Sequence, residues 1–159
     1  MLEVNNTTKQ KINLRQLHKL AELFLKVHKK PSALVSLAIV GPTKMRQLNK
    51  IYRGLDKTTD VLSFIAHSSQ PTSLNRDKYL GEVIININES QKISKYRAML
   101  LELGVDLGRS QIAVRNYIFN FLFVHGLLHL LAYNDEKEKD RLQMLDLGKK
   151  FLEKAEKML

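Results

Sequence analysis

The chain has 159 residues, 44% of them apolar and 26% charged, which is room for one domain with a sizeable core, and nothing divides 1–159 into two. It has no cysteine, so disulfides and thiolate ligands are excluded and any transition metal has to be held by nitrogen and oxygen. Lysine and arginine outnumber aspartate and glutamate by 26 to 16, a net charge of +10 that favours a polyanionic partner such as nucleic acid. Met1 to Gln10 lacks a basic segment followed by an apolar one. The longest apolar run, about Tyr117 to Leu131, is too short and too polar to span a bilayer. The expectation is a cytoplasmic protein with no membrane partner.

In chain order, Met1 to Asn5 alternates in part and reads as an edge strand. Asn13 is placed to cap a helix in which Leu14, Leu17, Leu20, Ala21, Phe24 and Leu25 repeat at helical spacing. His18 and His28, on or near that helix, have no partner at ligand spacing and read as surface residues. Ala33 to Val40, apolar and partly β-branched between Pro31 and Gly41-Pro42, reads as a central strand. A helix from about Thr43 to Tyr52 follows, with Met45, Leu48 and Ile51 inward and Gly54 placed to end it. His67 to Lys78 is polar and reads as a mobile loop between paired strands. Leu80 to Ile87 is the next strand, and Asn88 is placed to cap a helix carrying Ile93, Tyr96, Leu100 and Leu101 that ends at Gly104. The run from about Arg109 to Leu131 is apolar on most faces and reads as a buried central helix. The last helix, from Asn134 or Asp135 to about Met158, turns Leu142, Leu145, Phe151, Leu152 and Ala155 inward. Three or four strands and about five helices, without strict alternation, make an α+β fold, a mixed sheet packed against the central helix.

Chemistry concentrates in the run from Val124 to Asp135. His125 and His129 are four apart, so on a helix their imidazoles project from one face, one turn above the other. If the helix ends near Ala132 to Asn134 and the chain doubles back, Asp135 completes a set of two imidazoles and one carboxylate. Three protein ligands and an open fourth position are the layout of a catalytic zinc, here one ion per chain, although another divalent transition metal also fits. Asp135-Glu136-Lys137-Glu138 has the form of a capping box as well, and the two oxygens of a carboxylate allow both roles. The reversal is the awkward step, because a left-handed alanine at position 132 costs roughly 1–2 kcal/mol. Asn134 tolerates that geometry better and is the expected turn residue.

The same run resembles the H-G-x-L-H-L-x-G-Y-D-H signature of the YbeY family. His125, Gly126, Leu128, His129, Leu130 and Tyr133 agree with it, while Ala132, Asn134 and Asp135 stand for Gly, Asp and the third His. Leu48 to Phe64 is similar to a second signature of the family, L-N-x-x-Y-R-G-K-D-K-P-T-D-V-L-S-F, departing at Leu55 and Thr58. Leu80-Gly81-Glu82 resembles its L-G-D-I-V-I segment. The three stretches occur in the family's order, and the resemblance covers roughly residues 34 to 159. It implies the same α+β architecture and a metal-dependent endoribonuclease of ribosomal RNA maturation, whose partner is single-stranded RNA in ribosomal RNA or the small ribosomal subunit. It also implies that Arg53, at the position of the family's catalytic arginine, is catalytic, and that the third ligand lies at Asp135. Glu82, Asp60, Thr59 and Ser63 are candidates to line the site, each equally readable as a strand-end residue with local hydrogen bonds.

Two other classes share these features. A zinc peptidase of the H-E-x-x-H type places a glutamate after the first histidine as general base, where this chain has Gly126, which cannot accept a proton. A non-catalytic, ribosome-associated RNA-binding protein would keep the basic surface and lose the metal.

Overall fold

Four strands form one mixed sheet in the computed structural model, which describes residues 1–66 and 78–158. The stretch read as a loop from His67 lies, up to Asp77, outside the described residues. In sheet order the strands are β1 (Leu2–Asn6), β2 (Leu34–Val40), β4 (Tyr79–Asn86) and β3 (Val61–Ile65). β1 and β4 flank β2 in parallel, and β3 runs antiparallel to β4 as the last strand. Six helices accompany the sheet among the described residues: α1 (Leu14–Val27), α2 (Pro42–Arg53), α3 (Ile87–Ser90), α4 (Ile93–Glu102), α5 (Gln111–Leu130) and α6 (Glu138–Met158).

Alternation along the central strands sorts the molecule into layers. Val35, Leu37 and Ile39 of β2, with Val83 and Ile85 of β4, face the larger core, which α1, α4, α5 and α6 complete. Ala38, Val40 and Ile84 face the other way, onto a small cluster with Leu62 and with Met45 of α2. Asn13 caps α1 as expected, its Oδ1 accepting from the Gln16 amide at 3.1 Å. Gly54 ends α2 in the left-handed conformation, at φ 68°.

Several expected details differ. The third helix is two elements, α3 and α4, and the residue capping the first is Asn86, whose side chain accepts from the Asn88 amide. Ile51, Leu101 and Leu142 are not inward but exposed, by 73%, 57% and 42%. At about 100° per residue each falls off its helix's buried stripe: Leu142 lies about 200° from Met144, and Leu101 about 100° from Leu100. Leu14, at the first position of α1, is also exposed. His28 is half-buried rather than a surface residue, with its ring 4.3 Å from that of Phe24, and burial pushes its pKa down.

The feature that positions the site is how closely α5 lies on the sheet. A Cβ on Gly126 would sit 2.5 Å and 2.9 Å from the two methyls of Val83 and 3.1 Å from Ser63 Oγ. Only a residue without a side chain permits that approach. Gly126→Ala should therefore destabilise by about 1–3 kcal/mol through overpacking, and Val83→Ala added to it should recover part of the loss. Urea unfolding of the two single variants and the double variant measures this, and additive effects would show that the contact does not limit the packing.

Candidate metal centre

α5 runs across β3 and β4, and at its C-terminal end His125 and His129 stand one turn apart, half-buried, over an open cleft of about 670 Å³. The two Nε2 atoms are 3.1 Å apart, and Asp135 Oδ2 lies 3.3 Å from that of His125 and 3.6 Å from that of His129. For bonds of about 2.0–2.1 Å at the tetrahedral angle, two ligand atoms are separated by roughly 3.3–3.4 Å. The three observed separations bracket that value. The donor set, two nitrogens and one oxygen, is thus spaced as three corners of a tetrahedron, and it is the one group of three such residues gathered this closely among the described residues.

Protonation suits the same purpose. His129 Nδ1–H donates to the Tyr133 carbonyl at 2.9 Å, which leaves the Nε2 lone pair directed at the shared point. Burial, and then the neighbouring His129, push the pKa of His125 down, so its ring is neutral near pH 7.

Asp135 reaches the histidines because the chain reverses immediately after α5. The Tyr133 amide donates to Leu128 O and the Ala132 amide to His129 O, the paired bonds of a Schellman motif, with Ala132 at φ 65°. Ala132 itself is the left-handed residue. Asn134 does not take over the turn: its φ is not positive, and its side chain accepts from the Glu136 amide. The capping box is not formed either. α6 begins at Glu138, too far along for Asp135 to cap it, and Glu138 is engaged by Arg141 at 2.8 Å and 3.0 Å.

Arg53, on the last turn of α2, lines the cleft. The carbonyls at that helix end are met by the Gly54 amide, and the guanidinium makes no hydrogen bond or ion pair among the described residues. Lys50 and Arg46 on the same helix are both drawn to Asp56, at 3.2 Å and 2.8 Å. Thr59, Asp60 and Ser63 also line the cleft. Glu82 does not. It pairs with Phe64 across β3 and β4, and alternation turns it to the sheet face away from α5, where burial pushes its carboxyl pKa up.

Residues that the sequence did not single out hold this rim in place. Tyr96 OH donates to Asp60 Oδ2 at 2.8 Å, and Lys95 Nζ lies 3.2 Å from the same oxygen. Burial pushes the Asp60 carboxyl up, but the Tyr96 hydroxyl and the Lys95 ammonium outweigh it and hold the pKa below the usual carboxylate range. Asp60 is accordingly ionised beside His125, a negative charge suited to a bound cation. Asn86, fully buried at the end of β4, donates to Thr58 Oγ1 and Thr59 O, and Asn49 of α2 donates to Lys57 O. These two amides fix the turn that separates Arg53 from Asp60. An asparagine after an apolar strand run is the only trace of this in the sequence.

Comparison with known proteins places the chain among relatives. A profile of the family described as Endoribonuclease YbeY matches residues 3–156. An endoribonuclease YbeY of Helicobacter pylori (strain P12) is 34% identical over 139 residues, covering 87% of this chain and 81% of its own. One of Acholeplasma laidlawii (strain PG-8A) is 30% identical over 154 residues, covering 97% of each chain. The solution structure of a Thermotoga maritima protein shares the fold, with a TM-score of 0.58 at 22% identity over 98% of this chain and 89% of that one.

Two outcomes are expected of the site. Ala132→Gly should stabilise the protein by about 1 kcal/mol, since relief of the left-handed strain exceeds the added chain entropy of glycine. A lower melting temperature would show that the turn is not strained. Zinc affinity should fall as the pH drops below the ordinary histidine value of 6.5, because a protonated imidazole has no lone pair to give. The lowered pKa of His125 carries its share of that loss to more acidic pH. Competition with a chromogenic chelator between about pH 5 and 7.5 measures the slope, and a flat profile would exclude the histidines as ligands.

Proposed function

The chain belongs to the YbeY family of endoribonucleases, and on that membership and the chemistry of its cleft we propose that it is a zinc-dependent endoribonuclease of single-stranded RNA that acts in ribosomal RNA maturation. The observation that carries the metal is the tetrahedral spacing of His125, His129 and Asp135, beside a guanidinium with no partner of its own among the described residues. We assign the whole of 1–159 to one such domain and place it in the cytoplasm; no helix among the described residues is long and apolar enough to cross a membrane.

Zinc bound by these three residues would supply Lewis acidity at neutral pH towards a phosphoryl oxygen. Arg53 meets the negative charge that grows on the non-bridging oxygens of the scissile phosphate, and its planar fork offers two parallel donors for them. Asp60, kept ionised by Tyr96 and Lys95, lines the same cleft and adds a negative charge that favours a cation there. His129, held by the Tyr133 carbonyl, keeps its ring fixed as substrate enters. Lys44 and Lys57, free of ion pairs among the described residues, add to the positive charge of the segment that carries Arg53. A peptidase of the H-E-x-x-H type places its glutamate base next to the first histidine, and here that position is Gly126, where not even a Cβ fits, so a base would have to come from elsewhere in the fold.

Purified protein should cleave single-stranded RNA, lose that activity to a chelator and regain it with zinc, while leaving a peptide substrate intact. Chelator-resistant cleavage would remove the metal from the mechanism, and RNA binding without cleavage would favour the non-catalytic reading. Arg53→Lys should lower kcat by about 10²- to 10³-fold, the range for loss of a transition-state donor, with little change in binding. An equal loss in both would make Arg53 an anchor only. RNA affinity should also fall with salt, by about 0.7 log unit per log unit for each phosphate contacted.

A further inference from the structure

Next to Arg53 in the chain, α2 leaves an aromatic ring largely exposed. Tyr52 is 62% exposed, and its ring stands over that of Phe64, with centroids 4.8 Å apart and planes at 59°. Phe64 and Ile65 belong to β3 and line the cleft that holds the histidines. Ile65, 45% exposed, adds apolar surface to the same cleft. Arg53, the next residue of α2, lines the same cleft and makes no ion pair among the described residues, so it supplies positive charge there. Aromatic faces interleaved with cations are the chemistry of a surface that takes bases by stacking and phosphates by charge.

We propose that Tyr52, backed by Phe64, is a stacking platform for an unpaired base flanking the scissile phosphate, and that it selects single strands. Resting on the endoribonuclease reading above, this names the part of the substrate that the cleft recognises. Phe64 supports the platform from below, so its orientation is set by the β3–β4 pairing rather than by the ligand. Base faces are covered by their neighbours in a duplex, whereas an unstacked base in a single strand presents its full π-face. Since every base has such a face, the platform discriminates strand state without discriminating sequence.

Three variants test this: Tyr52→Leu, which keeps apolar cover over Phe64 without a π-face, Tyr52→Phe, which keeps the face without the hydroxyl, and Tyr52→Trp, which enlarges the face. The readouts are melting temperature, kcat and KM on a single-stranded oligoribonucleotide, and the quenching of a 2-aminopurine placed beside the cleavage point. Tyr52→Leu should raise KM by about 5- to 100-fold, the range expected for one stacked base, with kcat within a few-fold of the parent and the quenching lost. Tyr52→Phe and Tyr52→Trp should keep both. A parental KM and quenching in Tyr52→Leu would overturn the proposal and leave the patch to a protein partner. Equal losses in Tyr52→Phe would overturn it in favour of a hydroxyl contact. Failure of the parent itself to cleave or bind RNA would fell the endoribonuclease reading first, whereas a fully active parent with an indifferent Tyr52→Leu fells the platform alone.

Discussion

The closeness of α5 to the sheet governs everything built on it. Gly126 lets the helix settle against Val83 and Ser63, and because it stands between His125 and His129, the same contact sets the height of both imidazoles above the cleft. A helix held off by even one methyl group would carry its two nitrogens away from Arg53, which reaches the cleft from α2. Packing interiors absorb such a displacement poorly, so the candidate metal centre inherits the tolerance of the core beneath it.

A second constraint lies in the reversal after α5. Holding Ala132 in the left-handed region costs free energy, and the Schellman bonds to Leu128 and His129 offset it locally. In return the turn aims the Tyr133 carbonyl at His129 and brings Asp135 back beside both histidines. One short segment thus orients one candidate ligand and delivers another, and strain kept at such a position is characteristic of functional turns. On the opposite side the Lys57–Asp60 turn is fixed by Asn49 and Asn86, with Tyr96 and Lys95 keeping Asp60 charged. The cleft is in this way bounded by two turns that buried polar groups hold in place.

Much of this arrangement was legible in the residues themselves. The spacing of His125 and His129 needs only helical geometry, and the apolar character of Ala33 to Val40 and of α5 needs only burial. Inward faces were read less well, because periodicity locates a stripe but its edges depend on neighbours. Ile51, Leu101 and Leu142 fit a helical pattern but fall where no neighbouring element covers them. The form of a capping box at Asp135 to Glu138 was outweighed by other partners, the Asp135 carboxylate turning to the imidazoles and Glu138 to Arg141 one turn along α6. Local preference also favoured Asn134 over Ala132 for the turn; the hydrogen-bond register of the helix end decided otherwise. The polar supports Asn49, Asn86 and Tyr96 carry no spacing signal, since their partners are 8 to 36 residues away.

The central claim is that His125, His129 and Asp135 act together as ligands of one ion. Zinc content and affinity, measured by elemental analysis and chelator competition on the parent, Asp135→Asn and Asp135→His, test it most directly. The account predicts about one zinc per chain in the parent, weak binding in Asp135→Asn, and affinity at or above the parent's in Asp135→His, with all three folded. Parental zinc affinity in a folded Asp135→Asn protein would contradict it.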